Sequence, residues 1–383
     1  MSKLLQALER FFRHAVVYPL LRLILHNPPF EGTIDIHKVR KLLILRYDRI
    51  GDMIVTTPVL RKLKQENPSL YIGVFASPSN AEIIKHNPYV DRIYFLLSNW
   101  GALVREVLAI RREKYDVVLN FVFNQTTAGA ILSRLAAPGA IKIGHGAEKY
   151  GFHFNRLLNL SRHESHMAEI LASFIKEVFG ISFTEDDLVF EIKGDADSKR
   201  VVDNFLTTNS LARRPTLGGE EEKKYVVFNL SAADDERNVS MEQAVALTRY
   251  LTTEQQLATV LLCSPENPDF KSRVAQQVSS PRCHLFPHRG RATLLQIASL
   301  IEGAILVVTP DTSIVHFAST TGTPLLGLFT SGITNEWMPY RVPHEVVRAP
   351  EGLPVSAIPV RSIIDRAEKL MHSLHRKEKL GFL

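Results

Sequence analysis

The sequence predicts an α/β protein built from two parallel-sheet units in tandem. Short apolar, β-branched runs alternate with stretches of helical period from residue 41 onward; the alternation stops in a polar stretch, TTNSLARRPTLGGEEEKK, over 207–224; and it then restarts. Such alternation places crossover helices between parallel strands. A chain of 383 residues with 45% hydrophobic content carries enough apolar material for two cores of ordinary size.

The first thirty residues are apolar but interrupted by Arg10, Arg13, Arg22 and His26, and they contain Pro19. No uninterrupted run approaches the ~20 residues a spanning helix needs, and no apolar centre with a small-residue cleavage site marks a signal peptide. Residues 1–35 read as a basic amphipathic extension, which lies in a membrane interface, the preferred reading, or packs on the domain. Over residues 36–206 strands are expected at Lys41–Arg46, Tyr71–Ala76, Arg92–Leu96, Asp116–Val122 and Ala140–Ile143, with helices at Val59–Glu66, Leu103–Arg112 and Ala128–Leu135 among them. Residues 207–224, with Pro215 and a Gly-Gly pair, form a linker or loop. Beyond it, over 225–358, strands are expected at Tyr225–Leu230, Ala258–Leu262, His284–Phe286, Ala304–Val308 and Leu325–Phe329, and helices at Met241–Thr252 and Leu294–Ile301. A last helix occupies Pro359–Arg376 within a terminal segment 359–383. Two such units leave a cleft between their strand C-terminal edges, where α/β sheets bind ligands.

Chemistry-bearing residues fall at two strand-to-helix junctions. In KLLILRYDRIGDMIVTTPVLRKLK a strand runs through a polar turn at Asp48–Asp52 into a helix. Gly51 is expected to supply a backbone conformation other residues resist, and Asp52 opens the helix. Asp52 reads either as a cap for its own helix or as a general base that takes the proton of an attacking hydroxyl. In AILVVTPDTSIVHFASTTGTPLLGLF a strand runs into Asp311, Thr312 and Ser313 at a helix N-terminus, where free N–H groups and the helix dipole favour an anion such as a pyrophosphate leaving group. His316, one turn in, is expected to reach the same anion; the alternative is an ordinary N-cap. The segment NLSAADDERNVS over 229–240 contributes Ser231 and the lone cation Arg237, a phosphate partner unless Asp234, Asp235 and Glu236 make it a solvated turn. Glu266, ending a strand, is placed to accept hydrogen bonds from a ribose.

Together these segments resemble glycosyltransferase family 9, the bacterial heptosyltransferases that add heptose from ADP-heptose to the inner core of lipopolysaccharide. The likeness covers roughly residues 40–345. LLILRYDRIGDMIVTTPVLRKLK is similar to the family's opening strand, Gly-Asp turn and Thr-Pro helix, and VVTPDTSIVHFASTTGTPLLGLFTSGITNEWMPY to its Asp-Thr-Gly-x-x-His donor signature. The resemblance implies a GT-B fold: two Rossmann-like domains, acceptor-binding then nucleotide-sugar-binding, with parallel sheets facing a central cleft and the C-terminal helix packing back across both. It implies an inverting reaction without metal or other cofactor. By position, Asp52 matches the catalytic base; Asp311, Thr312 and His316 match donor contacts; Arg237 stands where the family usually has a phosphate-binding Lys, and Glu266 where it has an acid near the adenosine ribose. Gly51, Ser231 and Ser313 complete the expected donor side, and Arg49 and Asn124 the acceptor side. Two departures are that Ser313 replaces a Gly, and Val239-Ser240 a Trp-Pro pair.

The formal charge of +6 favours anionic partners. With the resemblance, this implies a nucleotide-sugar donor and an anionic lipid-linked glycan acceptor, met at the cytoplasmic face of the bacterial inner membrane with the N-terminal helix on its surface, and no nucleic acid. Alternatives are another nucleotide sugar, a protein acceptor, or a non-catalytic sugar-nucleotide-binding scaffold. A dinucleotide-dependent oxidoreductase is disfavoured because no G-x-G-x-x-G follows a strand. Arg61, Lys64, Arg111 and Arg112 read chiefly as a solvated basic face. His145, His153, His163 and His166 lack a metal-ligand spacing and read as surface or acceptor-side residues. Cys263 and Cys283 are too few for a disulfide framework, which fits a reducing compartment.

Overall fold

The computed structural model describes residues 27–123, 127–146, 148–214 and 224–379, together with Pro19. Most of the amphipathic extension and residues 215–223 of the polar stretch lie outside the described residues.

The described residues divide into two compact units, one holding residues 27–81, 87–162 and 168–188, the other residues 82–86, 163–167 and those from 189 to 379. In the first, six strands, β1 (Lys41–Arg46), β2 (Tyr71–Ala76), β3 (Arg92–Phe95), β4 (Val117–Asn120), β5 (Ile141–His145) and β6 (Arg156–Leu158), form one parallel sheet in the order β3-β2-β1-β4-β5-β6. Its helices are α1 (Ile50–Glu66), α2 (Trp100–Glu113), α3 (Thr127–Ala136) and α4 (Met167–Phe179). The central strand β1 is buried from Leu42 to Arg46, as an unbroken apolar run covered on both faces should be. It pairs in register with β2, Lys41 opposite Tyr71, and with β4, Leu42 opposite Val117. Gly73 in β2 is required by packing: a Cβ there would sit 2.0 Å from the Tyr115 hydroxyl.

The second unit repeats the plan with β7 (Tyr225–Asn229), β8 (Ala258–Leu262), β9 (Cys283–Leu285), β10 (Leu306–Pro310), β11 (Leu325–Phe329) and β12 (His344–Arg348), in the order β12-β11-β10-β7-β8-β9. Its helices are α5 (Ala196–Thr208), α6 (Met241–Arg249), α7 (Pro268–Val278), α8 (Leu294–Glu302), α9 (Ile314–Thr321) and α10 (Val360–Lys379). Both sheets follow the doubly wound Rossmann order, so each has a switch point, between β1 and β4 and between β7 and β10, where neighbouring connections leave in opposite directions.

Two edge strands, β6 and β12, were not expected. Arg156–Leu158 is only three residues long, and HEVVR carries the charges an exposed edge tolerates. Helix α1 runs from Ile50 to Glu66, opening within the turn that leads into Asp52 and extending well before the helical period seen at Val59–Glu66, with Pro58 inside it. Proline cannot donate to the Ile54 carbonyl one turn back. The Thr57 hydroxyl donates to that carbonyl instead, at 2.8 Å, which explains how a Thr-Pro pair is tolerated in a buried helix. The break between units falls at Leu188–Val189, upstream of the polar stretch. Helix α5 belongs to the second unit because Phe205 packs edge-on to Phe286 at 4.9 Å and Arg213 just beyond it donates to the Ser299 carbonyl. In the same unit, Ile363, Ala367 and Leu370 of α10 join the core of β7, β8, β10 and β11. Residues 82–86 are held there by Glu82, whose two carboxylate oxygens accept from the Leu294 and Leu295 amides at the start of α8.

Candidate functional site

In the first unit the site begins at the end of β1. Arg46 is 1% exposed, and a buried guanidinium must be paired. Its Nε donates to the Asp52 carbonyl at 2.9 Å, its Nη1 donates to the Phe121 carbonyl at the end of β4 and meets Asp48 Oδ2 at 3.3 Å, and its Nη2 lies 3.1 Å from Asp52 Oδ1. One cation at the switch point therefore holds two carboxylates. Asp52 does not cap α1: the N-cap position is Arg49, and no side chain caps it. The capping alternative thus gives way to an ion pair. Gly51 is buried and helical and has no positive φ, so the unusual backbone expected of it is not used; the turn is made instead by Arg49 in an extended conformation. Arg49 itself is exposed. Asn124 lies outside the described residues.

Burial pushes the Asp48 carboxyl up to about 6, the nearby Asp52 charge adding to the rise and Arg46 and Arg49 opposing it. Asp48 Oδ1 is buried and accepts no hydrogen bond. Neither Arg46 nor Asp48 was singled out from the sequence. The signal was a charged residue closing an otherwise apolar strand, KLLILR.

In the second unit the site lies across the other switch point. Asn229, the last residue of β7, donates from Nδ2 to Thr309 Oγ1 of β10 at 3.0 Å, to Thr312 Oγ1 at 3.3 Å and to the Ser231 carbonyl at 3.0 Å. This amide, also missed in the sequence, stitches the two central strands to the turn before α9. The Thr312 hydroxyl in turn accepts from the Ile314 amide. The amides of Thr312 and Ser313 find no acceptor among the described residues. Ser313 has ordinary helical backbone, φ −56° and ψ −21°, so its position makes no demand for glycine. Ser231 Oγ accepts from the Ser264 amide at 2.6 Å, tying the ends of β7 and β8; Glu266 follows β8 and is exposed.

Arg237, expected to meet phosphate, is engaged by its own loop. Its Nε donates to both oxygens of Asp234, at 2.9 and 2.8 Å, its Nη2 pairs with Asp234 as well, and its Nη1 donates to the Asp311 carbonyl and carboxylate at 3.0 and 3.2 Å. The guanidinium anchors the Asp311 turn, and its hydrogen bond with Asp234 raises its already high pKa. His316 is turned inward. It is 5% exposed, its ring lies edge-on to Trp337 at 5.8 Å, and burial pushes it down to about 4, so at neutral pH it is an uncharged group. Next to it His166 stacks on Tyr340 at 4.3 Å and is pushed down to about 3, chiefly by burial. His145, His153 and His166, read as surface or acceptor-side residues, are buried; the sequence offered no period that would place them inside. The exposed His163 meets the buried Glu336 carboxylate.

The profile of Glycosyltransferase family 9 (heptosyltransferase) matches residues 103–356. The chain belongs to glycosyltransferase family 9. Its curated relatives include the Lipopolysaccharide heptosyltransferase 3 of Escherichia coli (strain K12), 25% identical over 84% of this chain and 95% of the relative. Among solved structures, a glycosyl transferase family 9 protein from Veillonella parvula superposes with a TM-score of 0.75 at 17% identity, covering 90% of this chain and 99% of that one. The E. coli heptosyltransferase WaaC with ADP-2-deoxy-2-fluoro heptose gives 0.64 at 20% identity over 86% and 99%. The fold is therefore the GT-B arrangement of two Rossmann-like units, and the family 9 chain is a glycosyltransferase of the heptosyltransferase kind.

Proposed function

We propose that this family 9 enzyme transfers heptose, or a closely similar sugar, from ADP-heptose to the inner core of lipopolysaccharide or a related lipid-linked glycan. The supporting observation is that each switch point presents a group of complementary chemistry: a carboxylate at Asp52 and helix-tip amides at Thr312–Ser313 with no acceptor among the described residues. A donor of the ADP-heptose class is supported by the similar E. coli heptosyltransferase solved with ADP-2-deoxy-2-fluoro heptose.

In the reaction so read, the acceptor hydroxyl gives its proton to Asp52 as its oxygen bonds to the anomeric carbon. The bond from that carbon to the diphosphate oxygen breaks, and the diphosphate leaves with the electron pair. A single displacement of this kind inverts the anomeric centre. The Thr312 and Ser313 amides and the hydroxyl of Thr312 stabilise the departing charge, with the Arg237 guanidinium beside the Asp311 turn as the local cation in place of a metal ion. Asn229 and Ser231 hold that loop in shape, Glu266 receives the ribose, and neutral His316 supports the helix tip from within. Gly51 and Arg49 lie beside the base, with Arg49 facing solvent; Arg49 is read as an acceptor contact, and Asn124 keeps that role as an expectation from the sequence alone. The reaction takes place at the cytoplasmic face of the inner membrane, where an anionic, lipid-linked acceptor resides.

The test is ADP release from ADP-heptose with truncated lipopolysaccharide extracted from cells lacking this chain. Wild type should release ADP in the presence of excess EDTA, and Asp52→Asn should lose on the order of 10² to 10⁴ in turnover while binding ADP normally by calorimetry. Near-normal turnover in Asp52→Asn would remove the base from the mechanism.

A further inference from the structure

Helix α2 in the first unit has a solvent face that the catalytic reading does not use. Asn99 caps it by accepting from the Ala102 amide, so Trp100 is the first helical residue. Its inner face is ordinary: Ile110 is fully buried, and Leu103 and Val107 pack on the cluster of Leu43, Leu45, Phe75 and Val118. Its outer face is not. Trp100 is 79% exposed, Val104 51% and Leu108 45%. Spaced by four residues, they fall within roughly 80° of one another around the helix and form one ridge. Large apolar groups exposed singly need no explanation, but three in line at helical spacing mark a surface that meets something.

The charges beside the ridge say what it meets. Arg105, Arg111, Arg112 and Lys114 are exposed, and the three arginines are in no ion pair among the described residues. The two acids of the helix are occupied elsewhere: Glu106 accepts from the Phe95 amide, and Glu113 pairs with Lys41 at 2.5 Å. The solvent face is therefore apolar and cationic with no free carboxylate. A Trp at the lip of an apolar ridge flanked by arginines fits the boundary between headgroups and acyl chains of an anionic bilayer, where the indole sits at headgroup depth and each nearby cation adds attraction.

We propose that α2 is a membrane-docking helix that lies in the plane of an anionic phospholipid surface, with Trp100, Val104 and Leu108 inserted and Arg105, Arg111 and Arg112 against the headgroups. This assignment is separate from the extension over residues 1–35, and it stands whether or not heptose is the transferred sugar.

The experiment uses the full chain and vesicles of phosphatidylcholine with and without one quarter phosphatidylglycerol. Wild type should sediment with the anionic vesicles, much less with the neutral ones, and less again as salt rises. Lipids brominated along the acyl chain should quench part of the tryptophan emission. Trp100→Phe should still bind but lose that quenching, which ties the inserted indole to α2. Trp100→Ser/Val104→Ser/Leu108→Ser should bind at least roughly tenfold more weakly, and Arg105→Gln/Arg111→Gln/Arg112→Gln should lose the preference for anionic lipid. Binding without Trp100 quenching would place the contact elsewhere in the chain. A dimer in sedimentation equilibrium that the triple serine variant dissolves would show that a second copy covers the ridge. Either outcome overturns the proposal.

Discussion

At the scale of single residues, the chemistry at the end of β1 turns on one guanidinium shared by two carboxylates. A lone Asp at a helix N-terminus makes a weak base, because the dipole and any adjacent cation stabilise its ionised form. Here Asp48 takes up part of the positive charge of Arg46, its Oδ2 at 3.3 Å from Nη1, while Nη2 faces Asp52. With its carboxyl pushed up to about 6, Asp48 is ionised above that pH and neutral below it. Once neutral, it leaves Asp52 facing an undivided cation and therefore a poorer proton acceptor. The pH profile of kcat/KM for ADP-heptose should accordingly fall as pH drops through about 6. Asp48→Asn should behave at every pH as wild type does in acid: the inflection near 6 disappears and the plateau drops roughly three- to tenfold. An Asp48→Asn profile that retains its inflection near 6 would show that another group sets it.

At the scale of elements, α1 shows how a side chain can rescue a backbone that its own sequence disrupts. Pro58 leaves the Ile54 carbonyl without its helical donor, and the Thr57 hydroxyl fills the gap. Thr57→Val keeps the shape and removes the donor inside a fully buried segment. It should cost about 1–3 kcal/mol of unfolding free energy, the penalty for an unsatisfied buried carbonyl, measured by urea denaturation; a cost near zero would mean that the carbonyl is satisfied otherwise. The same element shows the limit of reading from sequence. The helical period is plain only from Val59, because the apolar residues before it are buried on all sides and Pro58 interrupts the pattern, and the hydrogen bond that compensates for the proline cannot be read from spacing. The central strands β1, β7, β10 and β11 were legible because parallel strands buried on both faces are unbroken apolar runs. The edge strands β6 and β12 were not, since an edge does not need that pattern. The two loop sites were legible as junctions, Asp52 after β1 and Asp311–Ser313 after β10. The residues that organise them, Arg46 and Asn229, were hidden as the last residues of strands whose polar ends look like mere termini.

At the scale of the whole molecule, the same strand order occurs twice, and each copy buries histidines that composition alone would leave on the surface. His153 in the first unit and His166 and His316 in the second are each at most 6% exposed, and burial pushes them to about 4, 3 and 4 against an ordinary 6.5. Between the folded and ordinary values the unfolded chain binds protons that the folded chain refuses, so stability falls as pH is lowered from about 6.5 toward 4. Asp48 acts in the opposite sense, because a carboxyl raised to about 6 from 3.8 makes the folded chain the better proton binder in that window, but it is one group against these three and His284, which burial also lowers. The protein should therefore lose thermal stability steadily from pH 6.5 to 4.5. His316→Asn keeps a neutral polar group in place and removes one titrating site. Near pH 5 it should reduce the slope of unfolding free energy against pH by about 1.4 kcal/mol per pH unit, the equivalent of one proton. An unchanged slope would mean that His316 already binds its proton in the folded chain, and that the helix tip at Thr312 sits above a charged histidine instead of a neutral one.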